Sequence, residues 1–182
     1  SVLLLVIAAV APAIAANDVP ATSVSATPDA VGQPFESVTL RTDDGVDLAA
    51  WYLAGESGAA VVVLHGAGST RSDVLDEVAV LVRHGYSVLV PDARGHGDSG
   101  GRAMDFGWFG DLDVAAAVDD LARRPGVDPG RVGVVGFSMG GEEAIGATAA
   151  DPRIRAVVAE GATARVADDK GWLSDQYGVR GW

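Results

Sequence analysis

Six consecutive residues concentrate the chemistry of this 182-residue chain: Gly136-Phe137-Ser138-Met139-Gly140-Gly141. They follow a buried-strand pattern at 131–136 and precede a short helix, the context in which G-x-S-x-G carries meaning. A strand-to-helix turn this sharp excludes large side chains on either side of the serine, hence Gly136 and Gly140. It lifts the Ser138 hydroxyl above the carboxyl edge of a sheet, at a helix N-terminus whose amides favour developing negative charge. Glycine-rich turns containing a serine also serve purely structural ends, so the motif has to be read with its companions.

Two companions are present. His65-Gly66-Ala67-Gly68 closes an earlier buried strand, and Asp92-Ala93-Arg94-Gly95-His96-Gly97-Asp98-Ser99 follows the next one. With HGAGST, DARGHGDS and GFSMGG in this order, the chain resembles the α/β-hydrolase superfamily over roughly residues 35–164. It is similar to exported or membrane-anchored bacterial hydrolases in which an apolar N-terminal segment precedes the domain.

The resemblance implies roles residue by residue. Ser138 would be the nucleophile, attacking an ester, thioester or amide carbonyl to form an acyl-enzyme. The backbone N–H groups of Met139 and Ala67 would form the oxyanion hole, with His65, Gly66, Gly136 and Gly140 supporting the two loops. His65 is expected as a structural hydrogen-bonder rather than a base. The superfamily order places an acid and then a histidine after the serine. Here the histidines are His65, His84 and His96, all upstream of Ser138. His84 reads as a solvated helix cap, His96 as part of a structural Gly-His-Gly, and Glu160 as a solvated or lid-anchoring acid. The chain is therefore expected to be a fragment that lacks its acid and base and has no efficient hydrolase activity by itself.

Elements that could position these residues are legible around them. Segments 37–41 and 46–53 alternate apolar and polar residues about Asp44-Gly45, a hairpin signal. Segments 59–64 and 87–90 are apolar enough for buried strands, and 131–136 and 154–158 read as two further strands with a short helix between them. Val74, Leu75, Val78, Leu81 and Val82 share one helical face with Gly85 as the stop, and Asp111 opens a second helix ended by Arg123-Arg124-Pro125. A hairpin followed by alternating strands and helices predicts an α/β fold, a mostly parallel sheet with an N-terminal antiparallel hairpin. Residues 35–164 form the hydrolase core in this reading, and 165–182, with Trp172, Tyr177 and Trp182, the start of a lid or tail.

Composition sets the outer limits. Thirteen Lys+Arg against 25 Asp+Glu give a net charge of -12, which repels phosphate backbones and argues against nucleic-acid partners. With no cysteine, disulfides, thiolate zinc sites and a cysteine nucleophile are excluded. Gly95-x-Gly97-x-x-Gly100 matches a dinucleotide fingerprint as a string, yet no periodic helix opens after it to receive phosphates. Acidic pairs such as Asp119-Asp120 and Asp168-Asp169 lack ligand spacing, so no metal or cofactor is expected.

Residues 1–16 carry no charge and contain an A-x-A arrangement at Ala13 and Ala15, as a signal peptide or membrane anchor would. Residues 17–34 are Ala/Thr/Ser/Pro-rich and lack basic residues, which reads as a flexible tether on the extracytoplasmic side. Three functions follow from the sequence: a serine hydrolase of small acyl substrates, a non-catalytic binding protein on the same fold, or an acyltransferase.

Overall fold

The computed structural model describes residues 21–102 and 109–162. The expected segment 1–16 and the expected lid or tail at 165–182 lie outside these residues. Among the described residues six strands form one sheet: β1 (Glu36–Arg41), β2 (Asp47–Leu53), β3 (Ala60–Leu64), β4 (Ser87–Pro91), β5 (Val132–Phe137) and β6 (Ile154–Glu160). Their order across the sheet is β1-β2-β4-β3-β5-β6. β1 pairs antiparallel with β2 around a turn where Gly45 takes φ 85°, and β2 pairs antiparallel with β4. From β4 to β6 every pairing is parallel. This is the expected mostly parallel sheet with an antiparallel hairpin at one edge.

Three helices make the crossovers: α1 (Leu75–Arg83), α2 (Gly110–Arg123) and α3 (Met139–Ala150). Strand side chains alternate between two apolar layers. Val62, Leu64 and Leu89 pack with Val114, Val118 and Leu121 of α2 and Ala144 and Ala147 of α3. Val61, Val63, Val88 and Val90 pack instead with Leu75 and Val78 of α1. Thus α1 covers one face, and α2 and α3 the other.

That division fixes where a site can form. The chain leaves β3 toward α1 and β4 on one side, and leaves β5 toward α3 and β6 on the other. The carboxyl ends of β3 and β5 are neighbours, with Leu64 beside Gly136. Loops that diverge from adjacent parallel strands open a crevice between them, where open α/β sheets bind ligands.

Part of the stretch expected as a tether is laid onto the domain. Val24, Ala26, Val31 and Phe35 pack against the layer that holds α1, and Pro28–Val31 forms a 3₁₀ turn with Pro28 buried. Thr22 Oγ1 donates to the Gly68 carbonyl at 2.7 Å, and the Ser25 amide donates to Ser72 Oγ at 3.0 Å. Single apolar residues spaced through a polar stretch dilute its composition, yet they suffice to seat it against an apolar face. At the other end of the sheet, β6 is exposed along most of its length, with Val157 at 40% and Val158 at 58%.

Candidate active site

Ser138 sits between the end of β5 and the first turn of α3 with φ 52° and ψ −116°. Among the described residues it is the one non-glycine with positive φ. L-residues avoid this region, and holding one there costs on the order of 1–3 kcal/mol. The surroundings enforce it. A Cβ at Gly136 would run into the Gly140 carbonyl, and one at Gly140 would stand 2.6 Å from the His65 carbonyl oxygen. The two glycines therefore let the turn close against itself and against the β3 loop. The Ser138 amide donates to the Glu160 carbonyl at 2.7 Å, tying the turn to the end of β6. The side chain itself is exposed, and Met139 beside it is buried as the first residue of α3. Amides in a first helical turn lack the i−4 partner of later ones; here the Gly141 amide turns back to the Ser138 carbonyl at 2.9 Å.

The facing loop is His65-Gly66-Ala67-Gly68. Gly66 lies directly against the serine: a Cβ placed on it would be 3.4 Å from Ser138 Cβ. Ala67 is exposed beside it, and Gly68 takes φ 75°. Together with Ser69, Asp73, Val74, Glu77 and Phe137, these residues enclose a cavity of about 340 Å³ that opens onto Ser138. The structure brings His65, Gly66, Ala67 and Ser138 to one crevice, with Met139 following the serine as the first residue of α3.

Two histidines hold that loop in shape. His65 is buried; its Nε2 accepts the Ala93 amide at 3.0 Å, and its Nδ1 lies 2.8 Å from the Gly66 carbonyl. His96, also buried, accepts the Gly68 amide at Nε2 (3.1 Å) and places Nδ1 3.1 Å from the Arg94 carbonyl. In each ring an amide occupies the Nε2 lone pair, so the proton belongs on Nδ1. Burial pushes the His65 pKa below its ordinary value, chiefly by disfavouring the charged form. Neither ring has a lone pair left for a proton from Ser138. His84 caps α1, with Nδ1 2.8 Å from the Val80 carbonyl. Glu160 meets the site through its main-chain carbonyl.

The Asp92–Ser99 loop braces the crevice from behind. Asp92, fully buried, accepts from the amides of Arg71 (2.7 Å) and Asp98 (2.9 Å) and pairs with the Arg71 guanidinium. Arg71 also reaches Asp98 at 2.6 Å and stacks over Trp51 at 4.5 Å. A Cβ on Gly97 would collide with the Asp92 carboxylate. The glycines of the dinucleotide-like string are thus explained by packing, and Gly95 closes the loop by donating to the Gly100 carbonyl at 2.8 Å. Arg94 joins the hairpin turn to α2 by pairing with Asp44 (2.8 Å) and Asp113 (2.6 Å). Burial works against its charge, but these two carboxylates more than offset that and raise its pKa. Arg71 was not singled out by sequence reasoning; a lone arginine 21 residues from its partner leaves no pattern. Among the described residues no cluster of three or more metal-ligating side chains occurs.

The sheet order, the crossovers and the strained serine turn define an α/β-hydrolase fold. More particularly, the chain belongs to the Hydrolase_4 family, described as serine aminopeptidase, S33, whose model matches residues 55–177. It is 31% identical over 141 residues to thiohydrolase aneE of Aspergillus aculeatus, covering 72% of this chain and 43% of that protein. It is 34% identical over 133 residues to polyketide transferase ATR5 of Stachybotrys chlorohalonatus, covering 68% and 43%. The structure resembles that of the Pyrococcus furiosus esterase Pf2001, with 32% identity and a TM-score of 0.75 over 87% of this chain and 62% of that one. The chain spans about two fifths of the length of the curated relatives.

Proposed function

We propose that this chain carries the nucleophile and oxyanion half of a serine hydrolase that cleaves esters, thioesters or related acyl compounds. The observation that carries the reading is Ser138, held at φ 52° on a helix N-terminus and open to a cavity shared with Gly66 and Ala67. Ser138 Oγ attacks the acyl carbonyl and the leaving group departs, giving an acyl-enzyme that water resolves. The Met139 and Ala67 amides receive the developing oxyanion; removing one such donor typically costs on the order of 3 kcal/mol of transition-state stabilisation. Relatives named esterase and thiohydrolase support the substrate class.

Serine needs a base in hydrogen-bond reach, itself held by a third group. His65 and His96 are committed to backbone amides, so the base and acid in this reading come from outside the described residues. A second reading, acyl transfer to an acceptor other than water, uses the same first half-reaction, and the relative named polyketide transferase favours it. The charge-free run 1–16 supports, as part of this reading, a location outside the cytoplasm, exported or anchored.

The test is turnover of an activated aryl ester by the 182-residue chain, by a longer version of the protein, and by Ser138→Ala in each. The longer version is expected to turn over in a Ser138-dependent way. The 182-residue chain is expected to keep at most the roughly 10³–10⁴-fold advantage over water that persists without a base. Turnover of the longer version that survives Ser138→Ala would refute the nucleophile. Fast Ser138-dependent turnover by the short chain would make His65 or His96 the base. Adding an alcohol acceptor separates transfer from hydrolysis by its ester product.

A further inference from the structure

The path of residues 22–35 leads to the mouth of the crevice. Val24, Ala26 and Val31 seat this strap on the α1 layer, Phe35 sets its ring edge-on to Trp51 at 5.7 Å, and Ser25 is tied to Ser72. Thr22 then bonds the Gly68 carbonyl, one residue from Ala67 and Ser69 in the cavity wall. The uncharged run 1–16 ends six residues before Thr22 in the sequence. Six residues reach at most about 20 Å even when fully extended. A domain of this size is roughly 30–35 Å across. An anchor at Ala16 therefore holds the carboxyl edge of the sheet near whatever it is embedded in. The opposite edge, with Glu56 and Ser57 ahead of β3, stands a domain's width away.

The same edge carries an exposed aromatic ring. Phe109, 51% exposed, opens α2 at the carboxyl end of the β4 crossover, with the Arg94 guanidinium 5.2 Å from its centroid. An exposed phenylalanine buries its ring readily at the headgroup–acyl boundary of a bilayer. The cavity rim also bears Asp73 and Glu77, both exposed, and the chain is strongly acidic. A surface of that sign approaches a zwitterionic bilayer more closely than an anionic one.

We infer that residues 1–16 anchor the chain in a lipid bilayer and that the strap 22–35 turns the Ser138 crevice to face it. If Ser138 is the nucleophile proposed above, acyl compounds dissolved in the membrane reach it before those in bulk water.

Because the chain has no cysteine, single-cysteine reporters are unambiguous. Ser69→Cys at the rim and Glu56→Cys at the opposite edge carry an environment-sensitive fluorophore. Each labelled chain is mixed with phosphatidylcholine vesicles containing a lipid-borne quencher. The chain is expected to float with the vesicles, and the label at 69 to be quenched several-fold more than the label at 56. Releasing the strap with Thr22→Val, Val24→Asp and Val31→Asp, which removes a polar tie and two of its apolar seats, is expected to shrink that difference while flotation persists. Leu4→Arg with Ile7→Arg is expected to abolish flotation. Failure of the unaltered chain to float, flotation that survives both arginines, equal quenching at 69 and 56, or a difference that survives release of the strap each overturns the inference. None of these readouts requires turnover, so the orientation stands or falls apart from the hydrolase reading.

Discussion

The Ser138 amide and the Glu160 carbonyl meet at 2.7 Å, so the strained turn hangs from the last strand of the sheet rather than from its centre. β6 is an edge among the described elements and is mostly exposed, whereas β3 and β4 are buried throughout. Edge strands open at lower free energy than central ones. Native-state hydrogen exchange is expected to show the Ser138 amide exchanging together with the β6 amides and well before Val62 and Leu89. Exchange of Ser138 with the slow central group would show the turn to be self-supporting.

Relief of the backbone strain is measurable as stability. Ser138→Gly removes the Cβ that makes φ 52° costly, and it adds conformational freedom to the unfolded chain. Relief of about 1–3 kcal/mol set against a loss of about 0.5–1 leaves a net gain near 1 kcal/mol over Ser138→Ala. Urea denaturation of the two variants checks it, and a less stable glycine variant contradicts it.

The Arg71–Asp92 pair is buried on both sides: removing Arg71 strands the Asp92 charge away from water, and removing Asp92 leaves Arg71 with Asp98 as its remaining carboxylate. Asp92→Ala is expected to cost about 3–5 kcal/mol. It also leaves the Arg71 and Asp98 amides without their acceptor. Arg71→Ala should cost a similar amount, and the double variant much less than the sum, since the pair acts as a unit. Additive costs in denaturant titrations would show that the two act separately.

Acid should loosen the hairpin turn. Hydrogen bonds from Arg94, then from Thr42, hold the Asp44 pKa down to about 2 from an ordinary 3.8. A depressed carboxylate contributes its stability fully above the unfolded pKa, and that contribution fades as pH falls from near 4 through about 2. Asp44→Asn lacks this titration. Its stability is therefore expected to fall less steeply than that of the parent over that window, as followed by circular dichroism.

The ring protons of the histidines report directly on their roles. Long-range ¹⁵N–¹H correlation spectra are expected to show His65 and His96 as Nδ1–H tautomers, with His65 neutral at pH values where an exposed histidine is already charged. A free Nε2 in either ring would reopen the question of a base inside this chain.

Much of this architecture could be read from residue order. Asp44-Gly45 announced the hairpin, the apolar runs the parallel strands, and Gly136 and Gly140 the serine turn, because each signal is local. The crevice was legible for the same reason, since its two walls are short motifs at strand ends. What escaped notice depends on contacts between distant residues. Arg71 finds Asp92 only when the loop after β3 meets the loop after β4. His96 supports Gly68 across 28 residues. The strap was hidden by composition: small polar residues outnumber Val24, Ala26 and Val31, although those three decide where it lies.

The dependence of the Ser138 turn on Glu160 also has a meaning for a chain that emerges from the ribosome residue by residue. The β3 loop and its histidine braces exist before the serine is made, but the serine's own tether is synthesised after it. At about 5–20 residues per second, roughly one to four seconds separate the two. Through that interval α3 has no parallel strand beyond β5 to close against, and the sheet must grow its last rung before the strained conformation can be held.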